Sequence, residues 1–138
     1  MKSGLEKGML RTRRFEVDAG RTIGFMSDAL RVYATPSMAR DIEHTCREFL
    51  GEYLSDKENS VGARIELDHL GPTLIGMWVD VVASVLSIEG RRVQFEVEVR
   101  DALDVVGRGK HVLFIVDLDK QRQRLESKAA KVQALQKA

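Results

Sequence analysis

Three residues capable of chemistry stand where a polar side chain needs a reason: Thr35 at a helix entrance, Glu43 at the border of an apolar helix stripe, and His69 on the apolar side of a strand. A hydroxyl at a helix entrance serves as an N-cap worth ~1 kcal/mol. The backbone N–H groups and helix dipole there also favour negative charge, so Thr35 could equally orient a carbonyl or act as a nucleophile beside a base. Glu43 falls about 90° from the centre of its stripe, whereas Arg40, Asp41, Arg47, Glu48 and Glu52 fall on the far side. A carboxylate at such a border is partly stripped of water, a setting in which it can work as a base. The plainer alternative is a boundary acid that reaches water or meets Arg47 one turn on. His69 shares the alternation of Ile65 and Leu67, and a histidine on an apolar face is either a satisfied core residue or a proton carrier. Gly62, near the start of the same strand, leaves room for a ligand against the backbone, and its N–H could serve an oxyanion. His44 lies on the polar side of the helix, and His111 lies in the last strand as a sheet-face residue or a partner of a site residue. No H-x-x-x-H or C-x-x-C spacing occurs, so no metal site is expected.

The elements that must hold these residues follow from periodicity. Arg13 to Val17 can form a short first strand, after residues 1–12, which show no periodicity and are expected to fray. Gly20 and Gly24 punctuate a loop reaching Ala34. Thr35-Pro36 then reads as N-cap and first helical residue, and Met38, Ile42, Cys46, Phe49, Leu50 and Tyr53 recur at helical spacing to give one long central helix. After the polar turn S-D-K-E-N-S, Val61, Ala63, Ile65, Leu67 and His69 alternate with Gly62, Arg64, Glu66 and Asp68. A long apolar strand from Met77 to Ile88 turns at Glu89-Gly90 into Arg91 to Asp101, and a last strand runs from about Val105 to Asp117. One helix followed by four strands on short turns predicts an α+β domain with a mainly antiparallel sheet. Leu118, Leu125 and Val132 form a thin stripe on a charged C-terminal helix over 118–138.

Composition narrows the function classes. The 138 residues suit one domain spanning 1–138. Lys plus Arg number 22 against 21 for Asp plus Glu, so no overall field recruits nucleic acid or a membrane surface. The tail is the basic part, with six Lys or Arg and two acids from Leu118 onward. The single cysteine, Cys46, cannot form an internal disulfide, and no leader or apolar span is evident, which together predict a cytoplasmic protein.

The run V-Y-A-T at 32–35, Glu43 eight residues after the threonine, Gly62, His69, Gly76 and S-I-E-G-R-R at 87–92 together resemble the fluoroacetyl-CoA thioesterase branch of the hotdog-fold thioesterases. The resemblance extends ungapped from about Val32 to Val116. It implies a hotdog fold, in which a curled antiparallel sheet wraps the long helix, and a homodimer or a tetramer built from dimers. It implies catalytic roles for Thr35, Glu43 and His69, and carbonyl binding by the Gly62 N–H. It implies coenzyme A as part of the substrate and no separate cofactor. Two positions depart from the family's fluoroacetyl-specific pattern: the loop F-M-S-D-A-L-R places Ala29 where a gating aromatic would border the acyl group, and Pro36 replaces the glycine after the threonine.

The expectation is therefore an acyl-CoA thioesterase acting on a small to medium acyl group, with Glu43 or Thr35 as the attacker. The competing readings are a non-catalytic acyl-CoA or acyl-carrier binding module on the same fold, a purely structural dimer, and a hydratase. The last is disfavoured because Asp68 points away from the face of its neighbour His69. Wide apolar coverage on both faces of the 77–88 strand, with Trp78, Val82, Leu86 and Ile88 opposite Val79, Val81 and Val85, also predicts a dimer, since one helix cannot cover both.

Overall fold

The computed structural model describes residues 1–137; Ala138, the last residue of the expected C-terminal helix, lies outside the described residues. The chain forms β1 (Leu10–Glu16), β2 (Thr22–Ile23), β3 (Val32–Tyr33), α1 (Thr35–Gly51), β4 (Glu58–His69), β5 (Trp78–Glu89), β6 (Arg92–Arg100), β7 (Val105–Asp117) and α2 (Leu118–Lys137). Five strands make one antiparallel sheet in the order β1-β5-β6-β7-β4, and β2 and β3 form a separate small ribbon. The expected α+β architecture is the one observed: a long helix laid against a mainly antiparallel sheet. Among the described residues no helix is long and apolar enough to cross a membrane.

The alternation that marked the strands also builds the core. Val79, Val81, Ala83 and Val85 of β5 and Val93, Phe95, Val97 and Val99 of β6 are buried on the helix side. Against them α1 sets Met38, Ile42, Cys46, Phe49 and Leu50, each at most 1% exposed. Each such burial contributes roughly 1.5–3 kcal/mol, enough to hold the helix across the sheet. Gly107 and Gly109 let neighbouring groups approach closely. A Cβ on Gly107 would sit 2.6 Å from Met38 Sδ, and one on Gly109 would collide with the Glu66 carbonyl of β4.

Three expectations need correction. The first strand starts at Leu10, not Arg13, and the preceding residues are tied down: Leu5 is buried, the Lys2 N–H donates to the Tyr53 carbonyl and the Gly8 N–H to that of Val85. These bonds are mainly backbone, so side-chain periodicity could not reveal them. Thr35 is the first helical residue, with Ala34 as a cap that contributes no side-chain bond.

The third correction concerns β4, whose faces are not set by unbroken alternation. The register against β7 slips between Gly62 and Arg64, so that Gly62 opposes Leu113 while Arg64 opposes Val112. A one-residue slip reverses the facing of everything beyond it. Ser60 and Gly62 therefore face the helix side together with Ile65, Leu67 and His69, while Val61 pairs with Phe114 on the outer face and is 39% exposed. β4 is also an edge strand, and most of it is exposed.

The segment between β1 and α1 is a loop closed at its neck. Thr22 pairs with Tyr33 and Ile23 with Val32. Across that neck Arg31 donates from Nε to the Thr22 hydroxyl at 2.8 Å and from its terminal nitrogen to the Thr22 carbonyl at 3.2 Å.

Candidate active site

Thr35 and His69 are brought together. The Thr35 Oγ1 and His69 Nδ1 lie 2.7 Å apart, joining the first residue of α1 to the last of β4. The turn between these elements makes them antiparallel neighbours, so the entrance of one meets the exit of the other. Because Thr35 does not cap the helix, its hydroxyl is free to turn to the imidazole. Thr35 is exposed and His69 half-buried, so the pair is open to a substrate.

Behind the imidazole lies a polar network that the sequence did not disclose. The Tyr33 ring meets the His69 ring edge-on, centroids 6.3 Å apart. The Tyr33 hydroxyl donates to Asp41 Oδ2 at 2.5 Å, and Arg21 Nε donates to the same oxygen at 3.0 Å. Burial, then the bond to Asp41, pushes the phenol far above its ordinary range, so it stays a donor. Helical spacing places Asp41 on the exposed side of α1, but it is buried, 1% exposed. The reason is that the β1–α1 loop folds over that side and supplies Arg21. Arg21 in turn bonds Asp18 at 2.9 Å.

Glu43 is half-buried and, among the described residues, forms no hydrogen bond or ion pair. The plain alternative of a pair with Arg47 is not formed: Arg47 reaches Asn59 Oδ1 instead, at 3.4 Å. Glu43 lies eight residues into the helix from Thr35, about 12 Å along its axis. Gly62 lies at the other end of β4 from His69, and seven residues of strand span roughly 23 Å. Beneath it sits His111, buried, with Nδ1 2.9 Å from the Arg64 carbonyl. Ala29 is exposed on a short 3-10 turn, Asp28–Leu30, within the loop that leads into Thr35. His44 is exposed, as its helix position predicts. Among the described residues no group of three or more His, Cys, Asp or Glu is placed to hold a metal ion.

A surface depression of about 870 Å³ lies elsewhere. It lies on the outer face of the sheet, bordered by Glu66, Asp68, Glu96, Glu98, Arg108 and Lys110. Glu98 meets Arg108 there at 3.7 Å, and Ser84 also lines it, but among the described residues no hydroxyl in the depression is hydrogen-bonded to a base. The hydroxyl–imidazole pair is the better candidate.

A single long helix held against an antiparallel sheet is the arrangement of the hotdog fold. A family profile described as fluoroacetyl-CoA-specific thioesterase matches residues 17–119. A fluoroacetyl-CoA thioesterase from Streptantibioticus cattleyicolor is 30% identical over 135 residues, covering 93% of this chain and 97% of that protein. A solved Thermus thermophilus member of the thioesterase superfamily superposes with a TM-score of 0.87 at 27% identity, over 96% of this chain and 98% of that one. A mutant fluoroacetyl-CoA-specific thioesterase, solved in complex with fluoroacetate and CoA, superposes with a TM-score of 0.76 at 31% identity, over 84% and 98% of the two chains. The chain belongs to the fluoroacetyl-CoA-specific thioesterase family and is a thioester hydrolase.

Proposed function

We propose that this protein hydrolyses acyl-CoA thioesters carrying a small to medium acyl group, as a homodimer whose active sites draw on both chains. The observation that carries the reading is the 2.7 Å contact between Thr35 Oγ1 and His69 Nδ1, a nucleophile and a base within hydrogen-bond reach. In the proposed reaction the hydroxyl attacks the thioester carbon and its proton passes to Nδ1. The tetrahedral oxyanion is held by the Gly62 N–H. Collapse breaks the C–S bond, and the thiolate takes the proton from His69. Water, activated by Glu43 or His69, then frees the acyl group from Thr35. Coenzyme A is the proposed carrier because a family member was solved with CoA bound.

Distances within the chain support the dimer. Gly62 cannot serve the Thr35–His69 pair of its own chain across roughly 23 Å. β4 is an edge strand of 12 residues, a ready surface for strand pairing. Antiparallel alignment with the same strand of a second copy, centred on Glu66 with the Ala63 bulge set out of the register, would lay Gly62 of each chain beside the partner's His69. The lone cysteine, buried as a thiol, fits the cytoplasm as the compartment.

The reading is tested by measuring kcat/KM for acetyl-, fluoroacetyl-, butyryl-, branched, aromatic and long-chain CoA thioesters, with Glu43→Gln and His69→Ala as controls. With Ala29 in place of an aromatic, acyl groups larger than acetyl should be preferred, each buried methylene contributing roughly 0.8 kcal/mol. The two variants should lose kcat by ~10² or more while keeping the fold. A protein that bound acyl-CoA and hydrolysed none of the series would be the non-catalytic binding module. A preference for fluoroacetyl over both acetyl and butyryl of about a hundredfold would overturn the substrate assignment.

A further inference from the structure

His111 holds the one buried side-chain nitrogen or oxygen that lacks a partner among the described residues: its Nε2 is sealed from solvent and meets no donor or acceptor. The residue is 3% exposed. An unmet buried polar atom costs ~1–3 kcal/mol, a cost that leucine or phenylalanine would avoid in the same space. Filling volume therefore does not account for a histidine here.

The other nitrogen gives the reason. Nδ1 lies 2.9 Å from the Arg64 carbonyl, and since a carbonyl oxygen only accepts, Nδ1 carries hydrogen and donates. Arg64 closes the step at which β4 slips against β7. The same ring floors the opening of that step: a Cβ built on Gly62 would rest 3.5 Å from His111 Cε1. One imidazole thus touches both flanks of the bulge. With unbroken alternation Gly62, an odd number of residues from Leu67 and His69, would face away from them. With the slip it shares their face.

We propose that His111 is a positioning residue that fixes the β4 bulge and, through it, the aim of the Gly62 N–H at the thioester carbonyl. This rests on the reading of Gly62 as the oxyanion donor. His111 touches no reacting atom; it acts through the backbone from 62 to 64.

The test compares the wild-type dimer with His111→Leu, His111→Gln and His111→Asn by steady-state kinetics, with amide NMR shifts at Gly62 and Arg64 recorded on each. Leucine removes the donor. Glutamine places its amide where Nε2 was. Asparagine restores an N–H close to the Nδ1 position. His111→Leu and His111→Gln should lower kcat about tenfold or more with KM little changed, and should shift both amides. His111→Asn should recover most of kcat and the wild-type shifts. An active wild type with His111→Leu unaffected in kcat, or with asparagine as poor as leucine, would overturn the inference alone. A wild type inactive on every thioester would overturn the underlying reading, and the inference with it. If His111→Leu fails to fold, the comparison of asparagine with glutamine decides.

Discussion

A hydroxyl in the first turn of a helix can either accept from the free N–H groups there or turn outward to a base, and Thr35 does the second. Its removal should therefore leave the helix intact while abolishing attack. Thr35→Ala is expected to change unfolding free energy by less than about 0.5 kcal/mol, below the usual cost of a lost cap, and to lower kcat by ~10² or more. Thr35→Ser should retain most activity. Denaturant melts and steady-state assays check both, and a destabilised but active Thr35→Ala would restore the capping role. The same economy separates Cys46 from chemistry. Burial, and then the nearby charge of Glu43, push its thiol far above the ordinary value. Ellman's reagent should leave the folded protein unmodified at neutral pH and react once per chain on unfolding. Thr35 and His69, which the fold sets 2.7 Å apart, could be singled out in the sequence by a helix entrance and an apolar strand face, whereas nothing in the sequence says that Glu43 stands apart from them. Tyr33 and Asp41 could not be singled out, because helical spacing places Asp41 outward and only the fold brings Arg21 over it. His111 was visible as a residue, but its bond to the Arg64 carbonyl depends on a bulge that alternation alone assigns no place.

Strands β5, β6 and β7 were readable in extent because their buried faces repeat every second residue over most of their length, but a register slip between Val85 and Ser87 sets Ile88 opposite Val93 on the helix side instead of with Trp78 and Val82; β1 buries only Phe15 and is fixed by pairing with β5. Its fastening at Arg14 carries a pH dependence. Arg14 opposes Asp80 in the register, bonds it through two nitrogens at 2.8 and 3.0 Å, and lies over the Trp78 ring at 3.8 Å. The bonds from Arg14 hold the Asp80 carboxyl below its ordinary range. A depressed folded-state value means stabilisation that is present above the unfolded value near ~3.9 and lost as pH falls through the folded one. The pair is largely open to water, so its worth is under about 1 kcal/mol. Asp80→Asn should melt slightly below wild type at neutral pH, and the gap should close as pH falls below the unfolded value and through the lower folded one. Calorimetry across that window decides, and a gap that persisted in acid would assign the effect to packing on Trp78.

A dimer with shared sites makes a quantitative forecast. One chain carrying His69→Ala and another carrying Gly62→Pro, which removes the N–H from an exposed edge strand, should each be nearly inactive alone. Unfolded together and refolded in equal amounts, half the dimers are mixed and each holds one intact site, so about one quarter of wild-type activity should return. No recovery would place the whole site in one chain. The likeness to the hotdog thioesterases was legible from Val32 to Val116, while the proposal of a site divided between two chains rests on the length and exposed edge of β4, which the sequence does not give. The closed neck at Thr22 and Arg31 has an evolutionary meaning. Residues 24–30 include no buried side chain, and the ribbon that fastens them is made by their neighbours. Substitutions, and even changes of length, inside that ring disturb little that folding depends on, whereas on the proposed mechanism a change at Thr35 next door costs the reaction itself. On that mechanism a lineage can wander from one acyl group to another by drift within a few codons, inheriting its chemistry unchanged.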